Sequence, residues 1–182
     1  MIVTPTAIPD VLLVEPVVHG DHRGFFVETW HDARYAAAGL ALPFVQDNLS
    51  RSRRHTLRGL HYQIQHPQGK LVGVASGSIF DVAVDLRRSS ATFGRWVGAV
   101  LSDENHHQVW IPPGFAHGFY VLSEQADLAY KCTVPYLPEH DRALRWDDPR
   151  LAIAWPLVGA APPLLSARDA GAPAIDVAEV YP

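Results

Sequence analysis

The chain has 182 residues, of which 48% are hydrophobic and 19% are charged, a balance typical of one globular domain with a sizeable core. The formal net charge of −4 and the lack of any run rich in Lys and Arg exclude a nucleic-acid partner. No apolar run approaches the roughly 20 residues of a membrane-spanning helix, and residues 1–5 do not begin a signal peptide. We therefore expect a soluble, cytoplasmic protein that binds neither nucleic acid nor membrane.

Short strand-like segments separated by Gly, Pro and Asp make up most of the chain. The clearest is 79–86, where apolar residues at the even positions alternate with a mixed set at the odd positions. In chain order, the predicted strands are 11–18, 24–30, 57–63, 70–75, 79–86, 96–101, 108–111, 118–122 and 128–133. Only 31–40 and short stretches after residue 149 indicate helix. Many short strands without βαβ alternation predict one all-β domain over 1–182, a jelly-roll barrel or sandwich with a few short helices.

The first polar patch lies at the start of the predicted strand 24–30 and in the turn before it. It contains Arg23, Phe26 and Glu28. In strand geometry Phe26 and Glu28 share a face. Two interpretations stay open on these residues alone: an edge strand with a solvent-exposed Arg23–Glu28 ion pair, or one wall of a binding site.

The second polar patch contains Arg58, His61 and Lys70, three basic side chains among apolar and amide neighbours. An imidazole can act as a general base near neutral pH, a guanidinium can hold phosphate oxygens, and an ammonium can stabilise an oxyanion. A strict period of two puts Arg58 and His61 on opposite faces of their strand. Both can serve one site only if Gly59 marks a β-bulge.

The third polar patch begins at a Pro-Pro-Gly turn, 112–114, which delivers His117 to the start of a strand. Tyr130 follows in the middle of a later strand, where a buried hydroxyl needs a hydrogen-bond partner or a chemical role. We interpret Cys132, the single cysteine, as a small buried hydrophobe and not as a nucleophile, because no activating group is evident near it.

Metal binding is the main alternative for a strand-rich chain with His61 and His117. Metal-binding cupins use a His-x-His pair, a carboxylate and a later histidine, whereas Gln63 stands here in place of the second imidazole. A cation at Lys70 would oppose a divalent ion. Because two histidines are too few for a dedicated site, we predict no bound metal.

Eight motifs carry a family resemblance that runs from the first strands to near residue 170. They are Asp21-x-Arg23-Gly24-x-Phe26-x-Glu28, Gln46-x-Asn48-x-Ser50, Leu57-Arg58-Gly59-Leu60-His61-Tyr62-Gln63, Gly69-Lys70-Leu71-Val72, Asp81-Val82-Ala83-Val84-Asp85-Leu86-Arg87, Trp110-Ile111-Pro112-Pro113-Gly114-Phe115-Ala116-His117-Gly118-Phe119, Tyr130-Lys131-Cys132-Thr133 and Arg145-Trp146-Asp147-Asp148-Pro149. With them the chain resembles the dTDP-4-dehydrorhamnose 3,5-epimerase family, a metal-free branch of the cupins.

The resemblance implies a cupin-type jelly-roll subunit in a homodimer with exchanged strands, acting on a dTDP-linked 4-keto-6-deoxyhexose without a cofactor. It implies that His61 is the general base, that Asp169 orients it, and that Tyr130 is the acid on the opposite face of the sugar. Lys70 would stabilise the enolate. A hydrogen beside a ketone is weakly acidic, so removing it on one face and returning a proton on the other inverts the carbon without redox chemistry.

The resemblance also implies a set of substrate-binding residues. They are Arg23, Phe26, Glu28, Gln46, Asp47, Asn48, Arg58, His117, Asp141 and Arg168, with Tyr136 stacking on the thymine. Three positions depart from the family pattern: Gly73 stands where Arg is common, Asp141 where Glu is usual, and Arg168 where Lys is common. These departures bear on the details of substrate binding and not on the reaction class.

We expect double inversion, at C3 and C5 of dTDP-4-keto-6-deoxyglucose, which gives dTDP-4-keto-L-rhamnose. A mono-epimerase of C3 or C5 in another deoxysugar pathway can keep the same base and acid, so the sequence leaves it open. A non-catalytic sugar-nucleotide-binding module would leave His61, Lys70 and Tyr130 without a role. A metal-dependent cupin oxygenase would need the ligands that the chain lacks.

Overall fold

The computed structural model describes residues 1–40, 43–159 and 162–182. In these ranges the chain forms thirteen β-strands, two short α-helices and one 3₁₀-helix. The strands are β1 (Ile2–Pro5), β2 (Leu12–Glu15), β3 (Val18–Asp21), β4 (Gly24–Val27), β5 (Gln46–Arg53), β6 (Leu57–Gln63), β7 (Lys70–Ser76), β8 (Ser78–Asp85), β9 (Trp96–Ser102), β10 (Gln108–Ile111), β11 (Phe115–Val121), β12 (Gln125–Cys132) and β13 (Asp141–Ala143). The helices are α1 (Asp32–Ala37), α2 (Ala167–Ala170) and the 3₁₀-helix Pro138–His140. None of the helices in the described ranges has the length and apolar character needed to span a bilayer.

Two antiparallel sheets face each other. The first has the strand order β1-β2-β10-β7-β12-β5, and the second has the order β13-β6-β11-β8-β9. Val72 and Leu128 of the first sheet share one buried cluster with Ile79 and Phe119 of the second, so a core lies between the sheets. Each fully buried side chain of this kind stabilises the fold by about 1.5–3 kcal/mol. The predicted all-β jelly-roll with a few short helices is confirmed.

Strand β8 is buried on both faces. Val82 and Val84 point away from the other sheet and join a cluster with Leu144 and Tyr181 of the C-terminal segment. The odd positions point between the sheets, where Ile79 lies in the core. The C-terminal segment therefore covers a face of the second sheet, which explains why this strand has so few polar residues.

Helix α1 covers the outer face of the first sheet. Tyr35 and Leu40 pack in one cluster with Leu71 and Trp110. The helix lies inside the predicted range 31–40, and its last turn is followed by Gly39 at φ +96°, a conformation that favours glycine.

Two predicted strands, 57–63 and 108–111, have the observed bounds of β6 and β10. The predicted strand 11–18 is divided between β2 and β3 because Pro16 interrupts it. Four strands, β1, β3, β5 and β13, were not predicted, apart from Val18 at the start of β3. In β5 the sequence is almost wholly polar, as the edge position of this strand in the first sheet allows.

Candidate active site

An open cavity of about 330 Å³ lies between the two sheets. Eight of the predicted site residues line it: Gln46, Asn48, His61, Lys70, Tyr130, Tyr136, Asp141 and Arg168. Four residues that were not predicted complete its wall: Tyr62, Gln63, Gln68 and Cys132. Their signal in the sequence was their position next to predicted site residues on the same strands or turns.

A β-bulge on β6 brings Arg58 and His61 onto one face. Arg58 is the register partner of Phe119 and His61 that of His117, so three steps along β6 match two along β11. Gly59 inside the bulge has φ +119°, and a Cβ there would lie 2.5 Å from the backbone of β11. This position therefore requires glycine. The β-bulge at Gly59, which is the condition for Arg58 and His61 to serve one site, is present.

His61 is oriented by a buried carboxylate from the C-terminal helix. Its Nε2 lies 2.6 Å from Oδ1 of Asp169 on α2. The side chain of Asp169 is 3% exposed, and that of His61 is 30% exposed. Burial opposes the charge of Asp169, but the hydrogen bond and the charge of His61 hold the pKa of this carboxyl below its usual value. With Nε2–H donated to Asp169, Nδ1 is the atom of His61 that can take a proton.

Tyr130 faces this dyad from the other sheet. On β12 and β7, Tyr130 pairs with Val72 and Cys132 pairs with Lys70, so all four side chains share the inner face of the first sheet. Burial raises the pKa of Tyr130, the neighbouring Cys132 raises it further, and Arg58 acts in the opposite direction. A phenol with a raised pKa stays protonated at neutral pH and can donate a proton.

Lys70 is 9% exposed and lines the same cavity. Burial lowers the pKa of its ammonium, whereas the nearby Cys132, Asp141 and Asp81 favour the charged form. A cation of this kind attracts an anionic oxygen that forms in the cavity.

Strand β5 adds two amides to the cavity. Gln46 donates from Nε2 to Oδ1 of Asn48 at 2.9 Å, and its Oε1 accepts from the backbone N–H of Tyr136 at 2.8 Å. Nδ2 of Asn48 lies 3.6 Å from Sγ of Cys132. The two amides therefore form a connected polar wall beside Tyr130, the register partner of Asn48.

Arg58 and Asp47 lie beside the cavity and do not line it. The guanidinium of Arg58 donates to Oγ of Ser52 at 2.9 Å, on strand β5 of the other sheet. Asp47 points to the outer face of β5, where it accepts from Nζ of Lys131 at 2.8 Å. Arg58 lies close enough to Tyr130 to act against the rise in its pKa that burial causes, whereas Asp47 is held on the outside.

Tyr136, Asp141 and Arg168 form a network at one end of the cavity. Oδ2 of Asp141 accepts from the hydroxyl of Tyr136 at 2.8 Å and forms an ion pair with Arg168, whose Nη1 lies 2.7 Å away. The hydrogen bond to Asp141 raises the pKa of Tyr136. Two of the three departures from the family pattern are thus direct partners, a relationship that their sequence positions did not reveal.

A second His–Asp pair lies beneath the site. Nε2 of His117 is 2.7 Å from Oδ2 of Asp81, and the two side chains are 8% and 1% exposed. The other oxygen of Asp81 is buried without a hydrogen-bond partner in the described part of the chain. Asp81 was not predicted as a site residue. Its signal was a carboxylate at a core-facing position of an otherwise apolar strand.

The hairpin β3–β4 carries Arg23 and Phe26 away from the cavity. Arg23 pairs with Asp21 at 2.6 Å, and Phe26 is 69% exposed. Glu28, just beyond the hairpin, pairs with Arg34 at 2.6 Å. The structure of one chain therefore does not bring these three predicted residues to the cavity.

The described ranges contain no group of three or more His, Cys, Asp or Glu side chains arranged to hold a metal ion. His61 and His117 are each engaged by one carboxylate through Nε2.

The fold and the site together define a cupin-type jelly-roll protein with a cavity lined by titratable side chains between its sheets. The chain belongs to the dTDP-4-dehydrorhamnose 3,5-epimerase family, whose model matches residues 5–176. The dTDP-4-dehydrorhamnose 3,5-epimerase of Pseudomonas aeruginosa is 56% identical over 180 residues, 98% of this chain and 98% of that protein. The Salmonella typhimurium enzyme of the same name is 52% identical, over 98% of this chain and 97% of its own length.

A solved structure supports the same assignment. The dTDP-6-deoxy-D-glucose-3,5-epimerase of Legionella pneumophila, in complex with dTDP-4-keto-L-rhamnose, is 52% identical and superposes with a TM-score of 0.93. The match covers 96% of this chain and 93% of that chain. The expected cupin-type fold is therefore confirmed.

Proposed function

We propose that the protein inverts C3 and C5 of dTDP-4-keto-6-deoxyglucose and releases dTDP-4-keto-L-rhamnose. The observation that carries this proposal is that His61 and Tyr130 lie on facing sheets across one cavity, with Lys70 beside Tyr130. Family membership and the names of the relatives support the choice of substrate. Two groups on opposite walls are what an inversion needs, because the proton that is returned must arrive on the face opposite the one that was lost.

His61 removes the proton. Its Nδ1 takes the hydrogen from the carbon beside the ketone, and the C–H electron pair moves into an enolate with its charge on the ketone oxygen. Asp169 accepts the Nε2–H and stabilises the imidazolium that forms. A positioned general base of this kind contributes about 10²–10⁴-fold to the rate.

Lys70 stabilises the enolate oxygen. Its ammonium faces the cavity from β7, and its burial strengthens the interaction with a negative oxygen because water screens it less. The charge develops only when the proton leaves, so the stabilisation favours the transition state over the bound ketone.

Tyr130 returns a proton from the opposite wall. Its hydroxyl proton forms the new C–H bond and the O–H electron pair stays on the phenolate oxygen. The enolate returns to the ketone with the configuration at carbon inverted. His61 then loses its proton to solvent and Tyr130 regains one, so each inversion is balanced in protons and electrons. Repetition at the second carbon completes the reaction.

The nucleotide occupies the end of the cavity that Gln46, Asn48 and Tyr136 form. The ring of Tyr136 is 49% exposed and can stack on the thymine. Arg58 grips the phosphates at the mouth, where its planar fork can make two parallel hydrogen bonds.

We also propose a homodimer in which the hairpin β3–β4 reaches the cavity of the partner and supplies Arg23, Phe26 and Glu28. The two strands pair only with each other in the described part of the chain. Phe25 and Phe26 are 59% and 69% exposed, and adjacent exposed aromatic side chains are typical of an interface.

The domain organisation, the cofactor requirement and the cellular compartment complete the proposal. Residues 1–182 act as one domain, without a metal or an organic cofactor, because the inversion is redox-neutral and the protein's own side chains supply the acid, the base and the cation. The buried free thiol of Cys132 fits a reducing compartment such as the cytoplasm.

Proton NMR of dTDP-4-keto-6-deoxyglucose with the protein in deuterated water, without added metal, tests this function. Deuterium at both C3 and C5, with the signals of the L-sugar, supports it. Exchange at a single carbon indicates a mono-epimerase. Binding of dTDP without any exchange indicates a sugar-nucleotide-binding module.

A further inference from the structure

The short helix α2 connects the nucleotide end of the cavity to the general base. It carries Arg168 and Asp169 side by side. Asp169 holds Nε2 of His61 at 2.6 Å, and Nη1 of Arg168 lies 2.7 Å from Oδ2 of Asp141. The same oxygen accepts from the hydroxyl of Tyr136 at 2.8 Å. Polar contacts therefore run from Tyr136 to Arg168 and from Asp169 to His61, and the backbone of one helix joins the two sets.

Helix α2 is held by backbone contacts on both sides and by side-chain contacts of its own. Leu164 exchanges hydrogen bonds with His55 and Leu57, and the carbonyl of Pro173 accepts from the N–H of Arg145. The helix has only four residues, fewer than a helix needs to be stable by itself. Arg168 joins it to β13 twice, through Asp141 and through a hydrogen bond of 3.1 Å to the carbonyl of Arg142. The ion pair with Asp141 ties the side chain of Arg168, the neighbour of Asp169, to β13.

The Asp141–Arg168 pair is better placed than a surface ion pair. The carboxylate side chain is 11% exposed, although the guanidinium is 45% exposed. Asp141 also lies on β13 opposite Gln63 of β6, the strand that carries His61. A largely buried carboxylate that accepts a hydrogen bond and forms an ion pair through the same oxygen has a well-defined orientation.

We propose that Asp141 and Arg168 are positioning residues for His61: their ion pair fixes α2, and a nucleobase on Tyr136 tightens the network that aligns Asp169 with the base. The inference rests on the proposed function, in which His61 takes the proton and Tyr136 stacks on the nucleobase. Part of the binding energy of the nucleotide is then used to raise kcat and not only to lower KM.

The two residues also match each other in length. Asp141 is one methylene shorter than the Glu usual at its position, and Arg168 reaches further than the Lys common at its own. A shorter acid with a longer base spans the same gap. The pair Asp141→Glu with Arg168→Lys is therefore a conservative exchange of both partners, whereas Asp141→Asn and Arg168→Gln each remove one charge.

Steady-state kinetics of these variants test the inference. Asp141→Asn and Arg168→Gln are expected to lower kcat by about 10- to 100-fold, as a small misplacement of the base does. The double variant Asp141→Glu with Arg168→Lys is expected to keep most of the wild-type kcat. Arg145→Gln is the matched control, because it breaks an exposed Arg–Asp pair of 2.8 Å away from the cavity and is expected to leave kcat unchanged.

A change in KM alone, with kcat at the wild-type value, would make Asp141 and Arg168 ordinary substrate contacts and would overturn the inference. If a single variant fails to fold, failure of the double variant to recover kcat overturns it equally. Turnover of His61→Asn, measured in parallel, separates a failure of the proposed function from a failure of the positioning role. Wild-type turnover in that variant removes His61 as the base, whereas its inactivity leaves the role of Asp141 and Arg168 to be decided by their own kcat values.

Discussion

His61 and His117 are register partners on β6 and β11, and each imidazole is held by a carboxylate through Nε2. The two N–O distances are 2.6 Å to Asp169 and 2.7 Å to Asp81. His61 opens onto the cavity with 30% of its side chain exposed, whereas His117 has 8%. One pair of strands thus presents a histidine that opens onto the cavity next to a buried one.

Removal of the buried carboxylate is expected to destabilise the fold. Asp81→Ala leaves the Nε2–H of His117 without its acceptor in the core, which costs about 1–3 kcal/mol. Urea unfolding measures this loss. Asp127→Ala is the comparison, because Asp127 pairs with the exposed Arg51 and its loss is expected to cost less. Equal losses in the free energy of unfolding of the two variants would contradict a structural role for the buried His117–Asp81 pair.

Subunit complementation tests the shared site. Arg23→Ala alters the hairpin and His61→Asn alters the cavity, so a mixed dimer contains one site with both native residues. Mixing the two weakly active variants is therefore expected to restore activity in a standard turnover assay. Mixing His61→Asn with Tyr130→Phe is the control and restores none, because both changes fall on the same cavity. If the mixture of Arg23→Ala and His61→Asn stays as inactive as its components, the hairpin does not contribute to the cavity of the partner subunit.

Glycine at position 59 is expected to be essential for the geometry of β6. Gly59→Ala combines a positive φ with a Cβ 2.5 Å from the backbone of β11. Gly39→Ala also has a positive φ but meets no atom within 4 Å, and is expected to cost about 1–2 kcal/mol. The Gly59 variant should lose more stability than this and at least about 100-fold in kcat. Equal effects on unfolding in urea would mean that the close contact does not matter.

The stability of the fold is expected to fall at low pH through Asp85. Burial opposes its charge, but hydrogen bonds from Arg87, Ser90 and Thr92 lower its pKa to about 2. Since this is below the usual value of 3.8, the unfolded chain binds the proton more readily and the carboxylate stabilises the fold at higher pH. The contribution is about 2 kcal/mol above pH 4 and is lost as the pH falls through 2.

Urea unfolding of the wild-type protein and of Asp85→Asn between pH 2 and 7 measures this contribution. The difference in the free energy of unfolding between the two proteins is expected to shrink as the pH falls below 4. A difference that does not change with pH would contradict the assignment.

The sequence predicted those elements whose pattern is local. Strands β6 and β10 have their predicted bounds because alternation and flanking turns mark them. Strand β5 escaped prediction because its sequence is polar, and it becomes a strand only by pairing with β12, far away in the chain. Pro16 divided a predicted strand, which a count of apolar residues does not register.

The site could be predicted only in part because several of its contacts join residues that are far apart in the chain. The bulge at Gly59 followed from the requirement that Arg58 and His61 share a face. The contact of His61 with Asp169, 108 residues away, is not visible in any local pattern and came from the family resemblance. Asp81 was missed because its partner is supplied by the neighbouring strand.

The central claim is that the base and the acid lie on opposite walls, and deuterium exchange in two variants tests it most directly. Proton NMR of dTDP-4-keto-6-deoxyglucose in deuterated water follows exchange and inversion separately. We predict that His61→Asn exchanges at neither C3 nor C5. Tyr130→Phe should still exchange through His61 but form the inverted sugar at least about 100-fold more slowly. Exchange at both carbons in His61→Asn, or inversion by Tyr130→Phe at the wild-type rate, would contradict the account.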